Sequence, residues 1–194
     1  MNNRRCRVMV NPFERIAGTK ALLWGVAAII VSTVMSYISG WHYHGMLHFG
    51  PAPNNSLWCH AVEHLTVWLI PAILFYIGGL IMSPSRIRPV DVFGTTAFAQ
   101  IPLSIMGLVS YCPPMQALNE IDEENVMQIA SQPWFAAAMA LSLVIIFAVV
   151  MSILWMYNAL KVSCNLSGYR LKIFFIAAYI GCDLICRYII GACY

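Results

Sequence analysis

Between Leu65 and Met82 the chain runs LTVWLIPAILFYIGGLIM without a single charged side chain. At ~1.5 Å of rise per residue, a helix of that length crosses most of a ~30 Å hydrocarbon core. The rest of the chain is of the same kind. Of its 194 residues, 60% are hydrophobic and only 10% charged, and the mean hydropathy is +0.73. A soluble domain carries about 25% charged residues, so this chain has too few to coat a water-facing surface. An all-α polytopic transmembrane bundle is the expected fold, with the lipid bilayer as its main partner. The net charge of +3 is too small to suggest nucleic acid, and no nucleic-acid partner is expected.

Residues 1–20 read as a basic cytoplasmic lead-in and 21–194 as one membrane domain. Arg4, Arg5 and Arg7 precede no apolar run before Ala21, so no cleavable signal peptide is expected. Asn11-Pro12-Phe13-Glu14 has the order of a helix start, with Asn11 as cap and Glu14 in a capping-box position. Phe13 and Ile16 are expected to lie on the membrane surface. Five spans are expected, at about 21–41, 58–82, 92–111, 134–157 and 173–194. Between the first two, Gly45, Gly50, Pro51 and Pro53 break regular structure. Pro71 frees a carbonyl within span two, so a kink packed against neighbouring helices is expected there. Span three carries Gly94, Thr95, Thr96, Gln100, Pro102 and Gly107, a composition suited to touching other helices. The loop after it holds Glu120, Asp122, Glu123 and Glu124 and no basic residue.

Charge sets the expected orientation. Arg4, Arg5, Arg7, Arg15, Lys20, Arg86, Arg88, Lys161, Arg170 and Lys172 fall on the N-terminal side of the spans, and the opposite loops hold no Lys or Arg. The remaining basic residue, Arg187, lies inside span five. By the positive-inside rule the N-terminus is cytoplasmic and the C-terminus external.

This layout resembles the Yip1 family. Asn11-Pro12-Phe13-Glu14-Arg15 is similar to the lead-in before the first span of bacterial members. Thr96-Ala97-Phe98-Ala99-Gln100-Ile101-Pro102 resembles their third span, and Ala159-Leu160-Lys161 through Ser167-Gly168-Tyr169-Arg170 resembles the loop before the final helix. The resemblance implies a five-span, non-catalytic protein of a bacterial inner membrane, associating with itself or with other membrane proteins. It transfers no functional residue.

Three clusters carry possible chemistry. His60-Ala61-Val62-Glu63-His64 matches H-x-x-E-H, in which two histidines on one helical face bind zinc beside a glutamate base. A third ligand would come from His42, His44, His48 or the acidic loop. The opposing reading is polar residues in the wet first turn of a span, where the helix-end charge disfavours a cation. The second cluster is Asp183, near the bilayer centre, with Arg187 four residues on and Gln100 at similar depth. Intramembrane ionisable groups pair internally, so a structural polar clamp is expected, with a transport path as the alternative. Third, Cys59 and Cys112 fall at external span ends, where a disulfide could form, while Cys182, Cys186 and Cys193 are expected as small packing residues. A metal-dependent hydrolase or metal-binding protein, and a small oligomeric transporter, are the competing classes.

Overall fold

The computed structural model describes residues 10–120 and 129–194. Arg4, Arg5, Arg7, Asp122, Glu123 and Glu124 lie outside them. The fold is all-α apart from one small hairpin. Five helical segments are long and apolar enough to cross a membrane: Gly18–Ser39, Leu57–Met82, Pro89–Ser110, Phe135–Ser163 and Gly168–Gly191. Every backbone N–H and C=O in hydrocarbon must be satisfied within the protein, and helices do this within themselves. We label the helices α1 (Gly18–Ser39), α2 (Leu57–Met82), α3 (Pro89–Phe98), α4 (Ser104–Ser110), the single turn α5 (Pro113–Gln116), α6 (Phe135–Ser163) and α7 (Gly168–Gly191).

Several boundaries differ from the sequence expectation. Helix α6 runs six residues past Tyr157, and α7 starts at Gly168, so Arg170 and Lys172 sit in its first turns and not in a loop. Charge is a poor marker of a span end, because Lys and Arg stems extend along the helix while their heads reach water. The connection shrinks to Cys164–Ser167, turned by Asn165 at φ 49° and closed by Leu166 N–H on the Lys161 carbonyl at 3.2 Å. The lead-in also differs. Residues Pro12–Glu14 form a 3₁₀ turn that stops at Arg15, and Phe13 is buried edge-on against Phe98 at 5.8 Å. An aromatic ring gains more from a protein core than from the interface. The bundle draws it in.

The third span is the central one, and it is broken. Of its apolar window 72% is buried, against 17% for the fourth span. Pro102 cannot continue an α-helix, and the chain passes from α3 through a 3₁₀ turn at Ile101–Leu103 into α4. In that turn Leu103 N–H bonds Gln100 O, leaving Ala99 O to accept from Ser152 Oγ of α6 at 3.0 Å. Close approach to α1 depends on two glycines. A Cβ on Gly25 would collide with Ala97, and one on Gly94 would lie 2.6 Å from the Gly18 carbonyl oxygen. Thr95 and Thr96 are fully buried and return their hydroxyls to their own helix, at Asp91 O (2.7 Å) and Val92 O (2.6 Å). The small-and-polar face does what its composition implied.

Helix α2 runs unbroken through Pro71. Proline at 71 removes the donor that would bond Val67 O, and Gln100 Nε2 supplies the replacement at 3.0 Å. The carbonyl that a proline frees in one span is thus bonded by a glutamine from another.

The connections sort into two ends. At one, Asn158 Nδ2 donates to Val10 O (2.9 Å) and Asn165 Nδ2 to Ser85 Oγ (2.8 Å). At the other, Gln116 Nε2 donates to Ser39 O (2.9 Å) and Asn55 Nδ2 to Tyr37 O (3.0 Å). Arg15, Lys20, Arg86, Arg88, Lys161, Arg170 and Lys172 all belong to the first end and are all exposed. Among the described residues the connections at the second end have no Lys or Arg, and Arg187 lies one turn inside the end of α7.

Candidate functional site

Gly45, Gly50, Pro51 and Pro53 were expected to leave the segment after α1 irregular. It instead forms a hairpin that turns down into the bundle. Gly40, at φ 68°, closes α1 with its N–H on Ser36 O. Strands β1 (Trp41–Tyr43) and β2 (Phe49–Pro51) then pair antiparallel, Trp41 opposite Pro51 and Tyr43 opposite Phe49. Tyr43 and Met46 are each 3% exposed and join the main core. Non-helical backbone at membrane depth is tolerated only where protein surrounds it, and here α7 provides the partner. Asp183 Oδ1 accepts from Met46 N–H at 2.8 Å and Leu47 N–H at 3.2 Å. Asp183 lies eight residues before the end of α7, so the hairpin tip reaches ~12 Å below that end. Gly45 allows the fit, because a Cβ there would lie 2.7 Å from both Asp183 Oδ1 and Arg187 Cγ.

The polar clamp around Asp183 therefore has other members than Gln100. Arg187 Nε stands 3.9 Å from Asp183 Oδ2, a long contact on a side chain 45% exposed. The two backbone N–H groups of the hairpin are the close partners. Gln100 is engaged at Val67, as Pro71 requires. Asp183 serves to hold a strand turn inside a helical bundle.

Above this tip lies the histidine cluster. Glu63 and His60 are fully buried, His42 is 2% exposed and His64 5%. Glu63 is the hub. Its Oε1 is 3.3 Å from His60 Nδ1 and 3.4 Å from His64 Nδ1. Its Oε2 accepts from the Tyr194 hydroxyl at 2.9 Å and lies 3.4 Å from His42 Nδ1. The last contact has ion-pair distance but not hydrogen-bond geometry, and both His42 ring nitrogens are without a hydrogen-bond partner. The His42 ring is packed instead against His44 and Tyr194, with centroids 4.1 and 4.2 Å away.

The surrounding bonds assign the ring hydrogens. Asn55 Nδ2 donates to Tyr37 O, so its Oδ1 is the atom 2.8 Å from His60 Nε2, which must carry a proton. His64 Nδ1 meets the His60 carbonyl at 2.8 Å and must likewise donate. His64 Nε2 is buried without a partner. It borders a small internal space shared with Tyr43, Ser32 and Gln100.

The zinc expectation for His60, Glu63 and His64 meets this arrangement unfavourably. Among the described residues no group of three or more His, Cys, Asp or Glu is arranged to hold a metal ion. The reason is local: His60 Nε2 is committed to Asn55, His64 Nδ1 to a backbone carbonyl, and Glu63 to the tyrosine hydroxyl. H-x-x-E-H here ties α2 to the hairpin and to the C-terminus. Burial and the nearby Glu63 push the Tyr194 phenol up, which keeps it a donor. Burial, then His42, hold His44 below the ordinary histidine range.

Cys59 and Cys112 are both free thiols. Cys59 Sγ donates to Cys193 O at 3.1 Å, at the end of α7, whereas Cys112 caps the end of α4 near Leu108 O at 3.9 Å. The possible disulfide between them is not formed. Cys182 and Cys186 are fully buried packing residues, as expected.

Sequence reasoning missed Tyr194 and Asn55 as members of the cluster. No spacing signal links the last residue of the chain to position 63. The Gln100–Val67 bond had a signal, since an intraspan proline always frees the carbonyl four residues before it.

Five long apolar helices, with their polar side chains turned inward onto backbone and onto each other, define an all-α integral membrane protein. The chain belongs to the Yip1 domain family, whose family model matches residues 7–186. This is a non-catalytic, membrane-associated family. No curated protein and no solved structure matches the chain.

Proposed function

We propose that this protein works as a membrane-embedded assembly partner, associating with itself or with other membrane proteins through the outer face of α6. One observation carries the reading. Only 17% of the apolar window of α6 is buried within the chain, and its exposed face includes the small residues Ala136, Ala137 and Ala140 beside Leu143 and Phe147. Lipid contact alone needs no small residues, whereas helix association in a bilayer uses them for close approach. The interior supports the same reading. Glu63 and His60 are sealed from solvent, and Asp183 is engaged with the hairpin, so neither offers a site where a solute could be transformed or carried.

We further infer a bacterial inner-membrane location, as the likeness to bacterial Yip1 members implies, and a cytoplasmic basic end, from the charge asymmetry. Reporter fusions at positions 54, 88, 125 and 167 should read out, in, out and in. A cytoplasmic signal at 125 would overturn this orientation. Association is tested by a photo-crosslinking residue at Phe147, compared with one at Tyr188 on α7, in native membranes. Discrete protein adducts from position 147 are expected. Adducts from 188 alone would refute the α6 assignment.

A further inference from the structure

The turn between α2 and α3 is a rigid basic structure beside lipid. Ser83 Oγ accepts from Ser85 N–H at 3.1 Å and donates to Ser85 O at 3.3 Å. Asn165 Nδ2 holds Ser85 Oγ from the α6–α7 connection at 2.8 Å. Ile87 is 8% exposed and pins the turn to the bundle. It reaches in over Gly79, where a Cβ would lie 2.7 Å from Ile87 Cδ1 and 2.6 Å from Cys164 Sγ. With Ile87 pointing inward, Arg86 and Arg88 on either side of it point outward. Pro84 and Pro89 flank the turn and restrict its backbone.

A cavity of about 680 Å³ opens at this turn, lined by Arg86 and Arg88 together with Tyr76, Leu80 and Ile87. Its apolar wall follows α2 through Tyr76 and Leu80, one turn apart on the same face, with Leu80 56% exposed. Among the described residues Arg86 has no ion-pair partner. Arg88 has only Asp91, with Nε 3.8 Å from Oδ2 and its side chain 75% exposed. Two exposed arginines two residues apart on one hydrogen-bonded turn, lining the same cavity as an apolar helix face at the end of a span, match a molecule with a phosphate at one end and a hydrocarbon chain at the other.

We propose that this groove is a binding site for an anionic phospholipid, its phosphate held between Arg86 and Arg88 and an acyl chain lying along Tyr76 and Leu80. Guanidinium is the preferred partner of phosphate, which it engages through paired N–H donors. Basic pockets between spans are a recognised form of lipid-headgroup site. The turn's internal hydrogen bonds lower the ordering cost of binding. A water-soluble anion would gain nothing from the apolar wall, which is why lipid is the assigned occupant. The inference is independent of the α6 assembly surface and of which side of the membrane is cytoplasmic.

The test uses the full-length protein in neutral detergent, titrated separately with phosphatidylglycerol, phosphatidylcholine and inorganic phosphate, and read by native mass spectrometry and melting temperature. Saturable binding and stabilisation by phosphatidylglycerol alone are expected. Arg86→Gln and Arg88→Gln should each weaken that binding about fivefold, and the double variant about thirtyfold. Lys161→Gln/Lys172→Gln, on the same end but outside the groove, should change it less than twofold. Should the arginine variants fold poorly, Leu80→Gln serves instead: it should weaken phosphatidylglycerol binding, and unchanged binding would refute the assigned acyl wall. Equal loss in the lysine variant would replace the site with diffuse surface charge. Equal binding of inorganic phosphate, or of phosphatidylcholine, would likewise overturn the proposal.

Discussion

Replacing Asp183 by leucine tests whether the hairpin is held by the helix it enters. The substitution removes the acceptor for Met46 N–H at 2.8 Å and Leu47 N–H at 3.2 Å. A buried donor left without a partner costs about 1–3 kcal/mol, so two give about 2–6 kcal/mol. Losing the 3.9 Å contact with Arg187 adds little, because that side chain is 45% exposed and weak exposed pairs contribute at most ~1 kcal/mol. For a chain of this size about 1 kcal/mol moves a melting temperature by roughly 2–4 °C. Asp183→Leu should therefore melt roughly 4–24 °C below wild type in detergent. Asp183→Asn keeps an acceptor oxygen and should lose less than half as much. Hydrogen exchange adds a local reading: the amides of Met46 and Leu47 should lose protection in the leucine variant before those of α2 do. A leucine variant melting within about 2 °C of wild type, with those amides still protected, would refute the reasoning.

Gln100→Leu should destabilise by about 1–3 kcal/mol by stranding Val67 O. Pro71→Ala should restore that carbonyl's helical donor, so the double variant should be less damaged than Gln100→Leu alone; strict additivity in thermal melts would remove the link. Tyr194→Phe deletes the 2.9 Å bond to the Glu63 carboxylate and should cost about 1.5–3 kcal/mol, measured the same way. Because the folded state holds His44 below the ordinary histidine range, the unfolded chain binds its proton first. That contribution to stability is present above about pH 6.5 and is lost as pH falls below it. His44→Gln should flatten the melting temperature between pH 7.5 and 5.5 relative to wild type, and an unchanged slope would show that His44 is not its source.

The sequence by itself determined everything that depends on the solvent. Uncharged stretches of span length must become helices in hydrocarbon, so the number of spans, the all-α class and the one-sided distribution of Arg and Lys were all legible in residue order. The freed carbonyl at Val67 was legible too, since it follows from Pro71 alone. Tertiary structure decided which polar groups meet. Glycine and proline between residues 45 and 53 read as a loop, yet the segment pairs with itself and enters the bundle, because Asp183 offers an acceptor that only packing brings to it. His60, Glu63 and His64 read as a metal motif, yet Asn55 and Tyr194 claim their hydrogen-bonding atoms from positions no spacing rule connects. Gln100 and Asp183 share a similar depth, and depth does not specify a partner. Lipid, being uniform, dictates the spans from local composition. Buried polar groups must each find a specific neighbour, and that neighbour is known only when the helices are packed.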